Sequence, residues 1–508
     1  MALARALSVA LLGVDGQIVD VEADLADGLP GLTIIGLPDA VLQEARDRIR
    51  AAIVNSGETW PSRRITLALL PATLPKRGSL FDVALAVAVL AAAGTVPAEP
   101  LGGVVLLGEL GLDGRLRPTR GVLPAVLTAA RDGVRRAVVP QSNAGEAALV
   151  PDVDVRGAAR LTDLLAFLRG DRGRTVVGRP CEVPDPPPTD DLSDVVGQAV
   201  GRRAMEVAAA GGHHVFLGGP PGAGKTMLAE RLPGLLPPLA DPAALEVTAV
   251  HSVAGTLPPD APLLRRPPYQ APHHTASMAA LVGGGSTLAR PGSISLAHRG
   301  VLFLDEAPEF AVGVLDALRQ PLENGQVFIA RSGGVARYPA RFQLVLAANP
   351  CPCASPAADG GCTCSPAARR RYLGRLSGPL LDRIDLHVWV APVTPADLLD
   401  DQPGVVETSE TVAKRVLDAR AAAAQRLRST GWQTNSEVPG TVLRSRWRLP
   451  RAATTLADDA LDCGWLSARG YDRVAKVAWT LADLAGRTSP GRAEVDEAVG
   501  LRSRMVSA

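Results

Sequence analysis

Gly219-Pro-Pro-Gly-Ala-Gly-Lys-Thr226 decides how the whole chain is read. It has the form GxxxxGK[ST], follows the apolar run Val215-Phe216-Leu217, and leads into a helical stretch from Met227 to Leu232. Strand, glycine loop and helix start in that order let backbone N–H groups wrap phosphate oxygens at a helix N-terminus. Within the loop, Gly219, Pro220, Pro221, Gly222, Ala223 and Gly224 form the cradle. Lys225 then reaches the β- and γ-phosphates, and Thr226 offers its hydroxyl to Mg²⁺. The stretch Val301-Leu-Phe-Leu-Asp-Glu306 complements it as a buried strand ending in two acids. Asp305 suits Mg²⁺ through water, and Glu306 suits polarising an attacking water. A glycine-rich loop by itself arises by chance. Both motifs, in order and in context, point to binding of ATP with Mg²⁺ and to its hydrolysis.

The 508 residues allow about three domains of ordinary size. Net charge is +1, so no bulk field drives the chain onto nucleic acid or membrane, and any such contact must be local. Lysines occur only at 76, 225, 414 and 476, so nearly all positive charge is arginine. The longest apolar stretch, Val83 to Val96, is too short and too Ala-rich to span a bilayer. Met1 to Val14 faintly resembles a signal peptide, but Asp15, Asp20, Glu22 and Asp24 follow at once. The expectation is a cytoplasmic protein with no membrane partner.

Residues 1–170 alternate strand-like and helical runs. Ser8–Val14, Ile65–Leu70 and Val104–Leu107 read as strands, and Asp39–Asn55 as a helix with Val41, Leu42, Ala45, Ile49 and Ile53 on one face. Residues 171–190 carry Pro180, Pro184, Pro186, Pro187 and Pro188 and read as a stiff linker. Residues 191–393 form the nucleotide domain. The gap between Thr226 and Asp305 is roomy for one helix–strand–helix step and implies an insertion. Val327–Phe342 reads as a hairpin turned at Gly333-Gly334, and Gln343–Asn349 as a buried strand with a polar tip. Residues 394–508 are helical in pattern: Glu410–Arg428, Arg451–Ala460 and Tyr471–Ala485. The fold class is therefore α/β around a P-loop.

Longer motifs carry a family resemblance across essentially the whole chain. They are Gly36-Leu-Pro-Asp-Ala40, Leu74-Pro-Lys-Arg-Gly-Ser-Leu-Phe-Asp82, Ala271-Pro-His-His-Thr-Ala-Ser277, Val282-Gly-Gly-Gly285, Gly292-Ser-Ile-Ser-Leu-Ala-His298, Asn349-Pro-Cys-Pro-Cys353 and Ser377-Gly-Pro-Leu-Leu-Asp-Arg-Ile-Asp385. The chain resembles the Mg-chelatase-like AAA+ ATPases of the ComM/YifB type, in the helix-2-insert group. The resemblance implies a Lon-protease-like α+β N-terminal domain, a P-loop AAA+ core on a parallel sheet, and a helical C-terminal lid. It also implies a ring homo-oligomer, a hexamer in such proteins, that processes DNA as a branch-migration motor beside recombination proteins.

The same resemblance assigns further residues. Asn349 matches sensor 1, an amide at a strand tip that holds the lytic water. Arg383 matches an arginine finger arriving from a neighbouring subunit. Arg469, in Leu466-Ser-Ala-Arg-Gly470, matches sensor 2 of the lid. Gly197 and Gln198, in Val195-Val-Gly-Gln198, stand where such proteins meet the adenine. One departure is plain: Ala478-Trp479-Thr480 stands where the pattern has Ala-Arg-Thr. Solvated arginines are the bland alternative for Arg383 and Arg469, and a strand-end turn former for Asn349.

Cys351, Cys353, Cys362 and Cys364 crowd together as Cys-Pro-Cys and Cys-Thr-Cys. In a reducing compartment that density signals a metal, and a structural Zn²⁺ on four thiolates is the preferred reading, with free redox-sensitive thiols as the alternative. Cys181 and Cys463 are isolated. Gly108–Pro118 and Val138–Asn143 are similar to Lon segments, but Gly78-Ser79-Leu80-Phe81-Asp82 lacks the GPSAG pattern, and Gly121–Leu127, where the catalytic lysine belongs, contains no lysine. Ser79 is thus a turn or cap residue, and the domain a substrate-binding or assembly module. Arg331, Arg337 and Arg341 on the hairpin are candidates for DNA phosphates, with solvated arginines as the even alternative. His273 and His274 read as polar packing in a loop, with metal ligation as the alternative.

The reading is an ATP-dependent ring motor that remodels DNA. A motor for Mg²⁺ insertion into a tetrapyrrole is the enzymatic rival, and an ATP-set protein-interaction switch the third.

Overall fold

The computed structural model describes the chain except residues 1, 37–38, 77, 181–189, 258–262, 286–288, 332–333, 354–361, 363, 395–406 and 504–508. Cys181, the linker prolines from Pro184 to Pro188, Leu37 and Pro38 of the first shared motif, Arg77 of the second and Gly333 of the hairpin turn lie outside the described residues.

The N-terminal part is one eight-stranded sheet. Its strands are β1 (Ala2–Leu12), β2 (Asp15–Ala26), β3 (Gly31–Ile35), β4 (Arg64–Leu70), β5 (Val105–Leu106), β6 (Arg136–Pro140), β7 (Asp154–Ala158) and β8 (Val176–Val177), in the order β8-β7-β6-β5-β1-β2-β4-β3. Along β2, Val19, Val21, Ala23 and Leu25 are buried while Asp20, Glu22 and Asp24 alternate with them on the opposite, less covered face. Two helices supply the cover. In α1 (Ala40–Asn55), Leu42, Ala45, Ile49 and Ile53 recur at helical spacing and are fully buried, and the Asp39 carboxylate caps the first turn by accepting the Leu42 N–H at 2.8 Å. In α2 (Asp82–Ala92) every residue is buried, as an apolar run without a polar face requires. Asp82 sits among them because Arg48 donates to both its oxygens, at 3.0 and 3.2 Å. The start of the expected linker differs from the reading: β8 pairs with β7, so residues 176–177 close the sheet edge instead of bridging domains. Ser79 lies in a short turn of helix and donates to Glu109.

The second sheet carries the nucleotide motifs. Its strands are β9 (Val215–Gly218), β10 (Tyr269–Gln270), β11 (Val301–Leu304), then, after the hairpin β12 (Gln326–Arg331) and β13 (Gly334–Pro339), β14 (Gln343–Ala348) and β15 (Leu386–Trp389). All pairs are parallel, in the order β10-β11-β14-β9-β15. The parity of each strand divides the core. Val215, Leu217, Val301, Phe303, Val345 and Ala347 pack toward the C-terminal helices. Phe216, Leu302, Leu304, Leu344 and Leu346 pack on the opposite face, toward the hairpin. Because both faces are covered, these strands read as unbroken apolar runs. Each buried Val, Leu or Phe contributes about 1.5–3 kcal/mol, so the sheet ends are rigid places from which to hold loops.

Between the two motifs lie helix α3 (Asp241–Ala254), the strand β10 and short pieces around Met278–Leu281 and Ser293–Leu296. The C-terminal helices are α4 (Ser409–Leu427), α5 (Thr455–Asp462), α6 (Ala468–Leu484) and α7 (Arg492–Ser503). The expected helix from Arg451 to Ala460 is split, with a short 3₁₀ turn at Arg451–Ala453 before α5.

The N-terminal sheet touches the nucleotide domain through the turn between β1 and β2. Leu12 and Val14 pack against the hairpin-side core, Gly13 bridges to Arg337, and Asp15 takes the Arg337 guanidinium at 3.1 and 3.2 Å. Gly13 has φ +73°, and a Cβ there would meet the Arg337 carbonyl oxygen at 2.6 Å. No described helix is long and apolar enough to cross a membrane.

Candidate nucleotide site at the ends of the parallel strands

The loop Gly219–Gly224 leaves the C-terminal end of β9, and helix α8 (Lys225–Leu235) begins directly after it. Gly219 lies so close to Val390 that a Cβ would meet its carbonyl oxygen at 2.3 Å, whereas Gly222 and Gly224, at φ +75° and +89°, face open space. Gly224 caps the helix without a side chain, so the first N–H groups of α8 are left for an incoming anion. These features fit a phosphate chain in the loop.

Lys225 folds over the loop. Its ammonium donates to the carbonyl oxygens of Gly219 and Pro220, both at 2.8 Å, and to Asn349 Oδ1 at 3.0 Å. Burial lowers its pKa from the ordinary lysine value, against the pull of Asp305 and Glu306. Thr226 Oγ1 donates to Asp305 Oδ2 at 2.8 Å, which places a hydroxyl and a carboxylate side by side at the two strand ends, a donor pair suited to Mg²⁺. Gln198, at φ +52°, donates from Nε2 to the carbonyls of Ala223 and Ala391 and so joins the loop to the chain beyond β15. Lys225, Thr226, Asp305, Asn349 and Gln198 are therefore brought together, although they lie far apart in the sequence.

Glu306 also stands here, with a left-handed backbone at φ +48° and its N–H bonded to Asp305 Oδ1 at 2.8 Å. A non-glycine residue in that region is held there by its surroundings. Its carboxylate meets His274, whose Nδ1 lies 3.2 Å from Oε2, and the His274 ring packs on His273 at 4.1 Å between centroids. Reading the two histidines as loop packing missed this contact. The only local signal was their place in a shared motif, Ala271–Ser277.

Two arginines are not at this loop. Arg383 pairs with Glu323 and donates to the Pro379 carbonyl. Arg469 is exposed in the first turn of α6. One turn further on, Arg473 donates to Asp385 Oδ1 at 3.0 Å, and Asp385 precedes β15 at the end of the sheet opposite the P-loop. Burial works against ionisation of Asp385, yet Arg473, His213 and His214 hold its carboxyl well below the usual range. The departure at Trp479 is absorbed by packing. Its indole is buried, donates to the Trp447 carbonyl at 3.0 Å, and lies 4.5 Å beneath the Arg426 guanidinium, which also pairs with Asp483. Arg426 thus brings a cation to this part of the C-terminal helices from another helix. The hairpin arginines are largely engaged: Arg337 with Asp15, and Arg331 with the carbonyls of Gly285 and Ala330.

The cysteines converge just past Asn349. The sulfurs of Cys351, Cys353, Cys362 and Cys364 all lie within 4.8 Å of one another. Cys351 is 3.1 Å from Cys353 and 3.4 Å from Cys362. A tetrahedral ion with bonds of about 2.3 Å sets its sulfur ligands about 3.8 Å apart, so the donor set and spacing fit one such ion. The Cys364 backbone N–H first, and the thiols of Cys351 and Cys353 next, bring Cys362 down to about 6.

A parallel sheet that gathers a P-loop, an Asp-Glu strand end and an asparagine-tipped strand defines a P-loop ATPase-type site. The comparisons make the class specific. The family described as magnesium chelatase, subunit ChlI, matches residues 191–398; the description subunit ChlI of Mg-chelatase matches 21–143, and its C-terminal counterpart 406–502. An uncharacterised protein of Mycobacterium tuberculosis is 58% identical over 99% of both chains. Competence protein ComM of Haemophilus influenzae is 42% identical over 99% of this chain and 98% of its own. The YifB protein of Salmonella typhimurium is 41% identical over 99% and 97%. The chain belongs to the Mg-chelatase-like AAA+ family that includes ComM and YifB.

Proposed function

We propose that this chain is an ATP-hydrolysing motor that works on DNA as a ring, a branch-migration helicase of the ComM type assembled as a hexamer in the cytoplasm. The observation that carries the reading is the single cluster of Lys225, Thr226–Asp305, Asn349 and Glu306 at adjoining strand ends. Lys225 and the loop N–H groups hold the phosphates, Thr226 and Asp305 hold Mg²⁺, Glu306 polarises the attacking water and Asn349 orients it. Gln198 with Gly197 borders the base, Arg383 comes from the next subunit, and Arg469 acts from the lid. Residues 1–170 serve as a Lon-like, proteolytically silent assembly module, 191–393 as the motor core and 394–508 as the lid. Full-length similarity to a protein named for competence supports DNA as the substrate.

The test is the ATPase rate of the purified protein alone, with single-stranded DNA and with a four-way junction. Stimulation by DNA is expected. A robust rate indifferent to every DNA overturns the DNA motor and favours the second reading, a motor for metal insertion into a tetrapyrrole, which the magnesium chelatase family match supports. ATP-dependent assembly without turnover favours an interaction switch.

The four cysteines would hold a structural Zn²⁺, which would fix the loop that follows Asn349. Removing it with a strong chelator is expected to lower Tm by several degrees, since a structural ion contributes folding energy outright. Elemental analysis should find one zinc per chain, lost in Cys351→Ser/Cys362→Ser. Full-length protein with no metal and an unchanged melt would sink the assignment.

A further inference from the structure

A cavity of about 730 Å³ opens between the segment 443–454 and α6. Leu443, Leu449 and Ala475 form its apolar floor, and Arg444, Arg448 and Arg451 stand around it. The acids at the cavity are already engaged. Asp472 takes Arg444, and both oxygens of Asp458 accept hydroxyls, from Tyr471 at 2.9 Å and Thr454 at 2.8 Å. Arg448 and Arg451 are exposed and, among the described residues, their guanidinium groups have no carboxylate partner. Burial first, and the bond to Asp458 next, raise the Tyr471 phenol above its ordinary value, so its hydroxyl stays a donor.

The same segment, Arg444-Ser-Arg-Trp-Arg-Leu-Pro-Arg451, holds four arginines in eight residues. Arg446 lies over the Trp447 ring at 5.2 Å, beside the cavity. Guanidinium groups with an aromatic among them are the side-chain composition that binds a phosphodiester backbone. This local excess arises in a protein of net charge +1, so bulk charge does not account for it.

We propose that this face of the lid binds the sugar–phosphate backbone of nucleic acid, with Arg448 and Arg451 on phosphates and Arg446–Trp447 at the rim. The proposal rests on the DNA-motor reading. It moves the phosphate contacts from the hairpin, where Arg331 and Arg337 are engaged within the chain, to the lid.

The experiment is fluorescence anisotropy of a fluorescein-labelled single-stranded oligonucleotide with the full chain, across a series of salt concentrations. Arg448→Ala/Arg451→Ala is expected to weaken binding about tenfold or more and to lower the slope of log K against log salt by about 0.7 per arginine. Arg448→Lys/Arg451→Lys should recover most of both, and the ATPase rate without DNA should stay at the wild-type level. A double-alanine variant with an unchanged melt and wild-type affinity and slope overturns the proposal while leaving the DNA motor standing. Displacement of the oligonucleotide by inorganic tripolyphosphate at equal phosphate concentration also overturns it, by marking a small-anion site. A wild-type protein that binds no oligonucleotide removes both readings together.

Discussion

Glu306→Gln is expected to lower ATP turnover by about 10²–10⁴-fold while leaving nucleotide affinity within a few-fold of wild type. The substitution keeps the shape of the side chain and the left-handed turn at φ +48°, and it removes only the oxygen able to take a proton. Lys225, Thr226 and Asp305, which hold phosphate and Mg²⁺ in the proposed site, are untouched. A coupled ATPase assay and binding of a fluorescent ATP analogue separate the two effects. Turnover within tenfold of wild type would mean that water is activated elsewhere. His274 is then the first residue to examine, since its ring touches the same carboxylate.

Arg383→Ala is expected to cost more, about 10³–10⁵-fold in turnover, again with ATP affinity nearly unchanged. Within its own chain the guanidinium pairs with Glu323 and the Pro379 carbonyl and makes no described contact with the P-loop. It borders a cavity of about 420 Å³ flanked by exposed Met278 and Phe328, the face that a neighbouring subunit would meet in the proposed ring. A subunit with a damaged finger and an intact loop should therefore be rescued by one with the reverse defect. Mixing Arg383→Ala with Lys225→Ala is expected to restore a substantial fraction of the ATPase rate. No recovery in mixed assemblies, with assembly intact by light scattering, would place Arg383 outside the trans role.

Much of the fold was readable because its signals are local. The helix at Ala40–Asn55 follows from apolar spacing and the Asp39 cap, and the strands at Val215, Val301 and Gln343 follow from short apolar runs bounded by loops. Segments failed where a distant partner decided the outcome. Residues 176–177 look like the start of a proline-rich linker, yet the open edge of β7 captures them. Arg337 reads as a free hairpin cation, yet the β1–β2 turn, 322 residues away in the sequence, brings Asp15 to it. The adjacent histidines carry no spacing that points to Glu306, because strand order places them there.

By itself the sequence determined the kind of chemistry on offer. A glycine loop, a lysine, a hydroxyl and an acid pair at those spacings specify phosphate and Mg²⁺ through backbone geometry that only a few residues fix. Tertiary structure alone decided which groups meet. The parallel order of β11, β14 and β9 sets Asn349 beside Lys225, and α6 brings Arg473 to the far end of the sheet instead of to the loop. It also sets Arg448 and Arg451, without a carboxylate partner among the described residues, at the rim of a cavity while Arg337 pairs with Asp15. The reason is physical: contacts between remote residues depend on how strands and helices pack, and no local window of sequence contains that information.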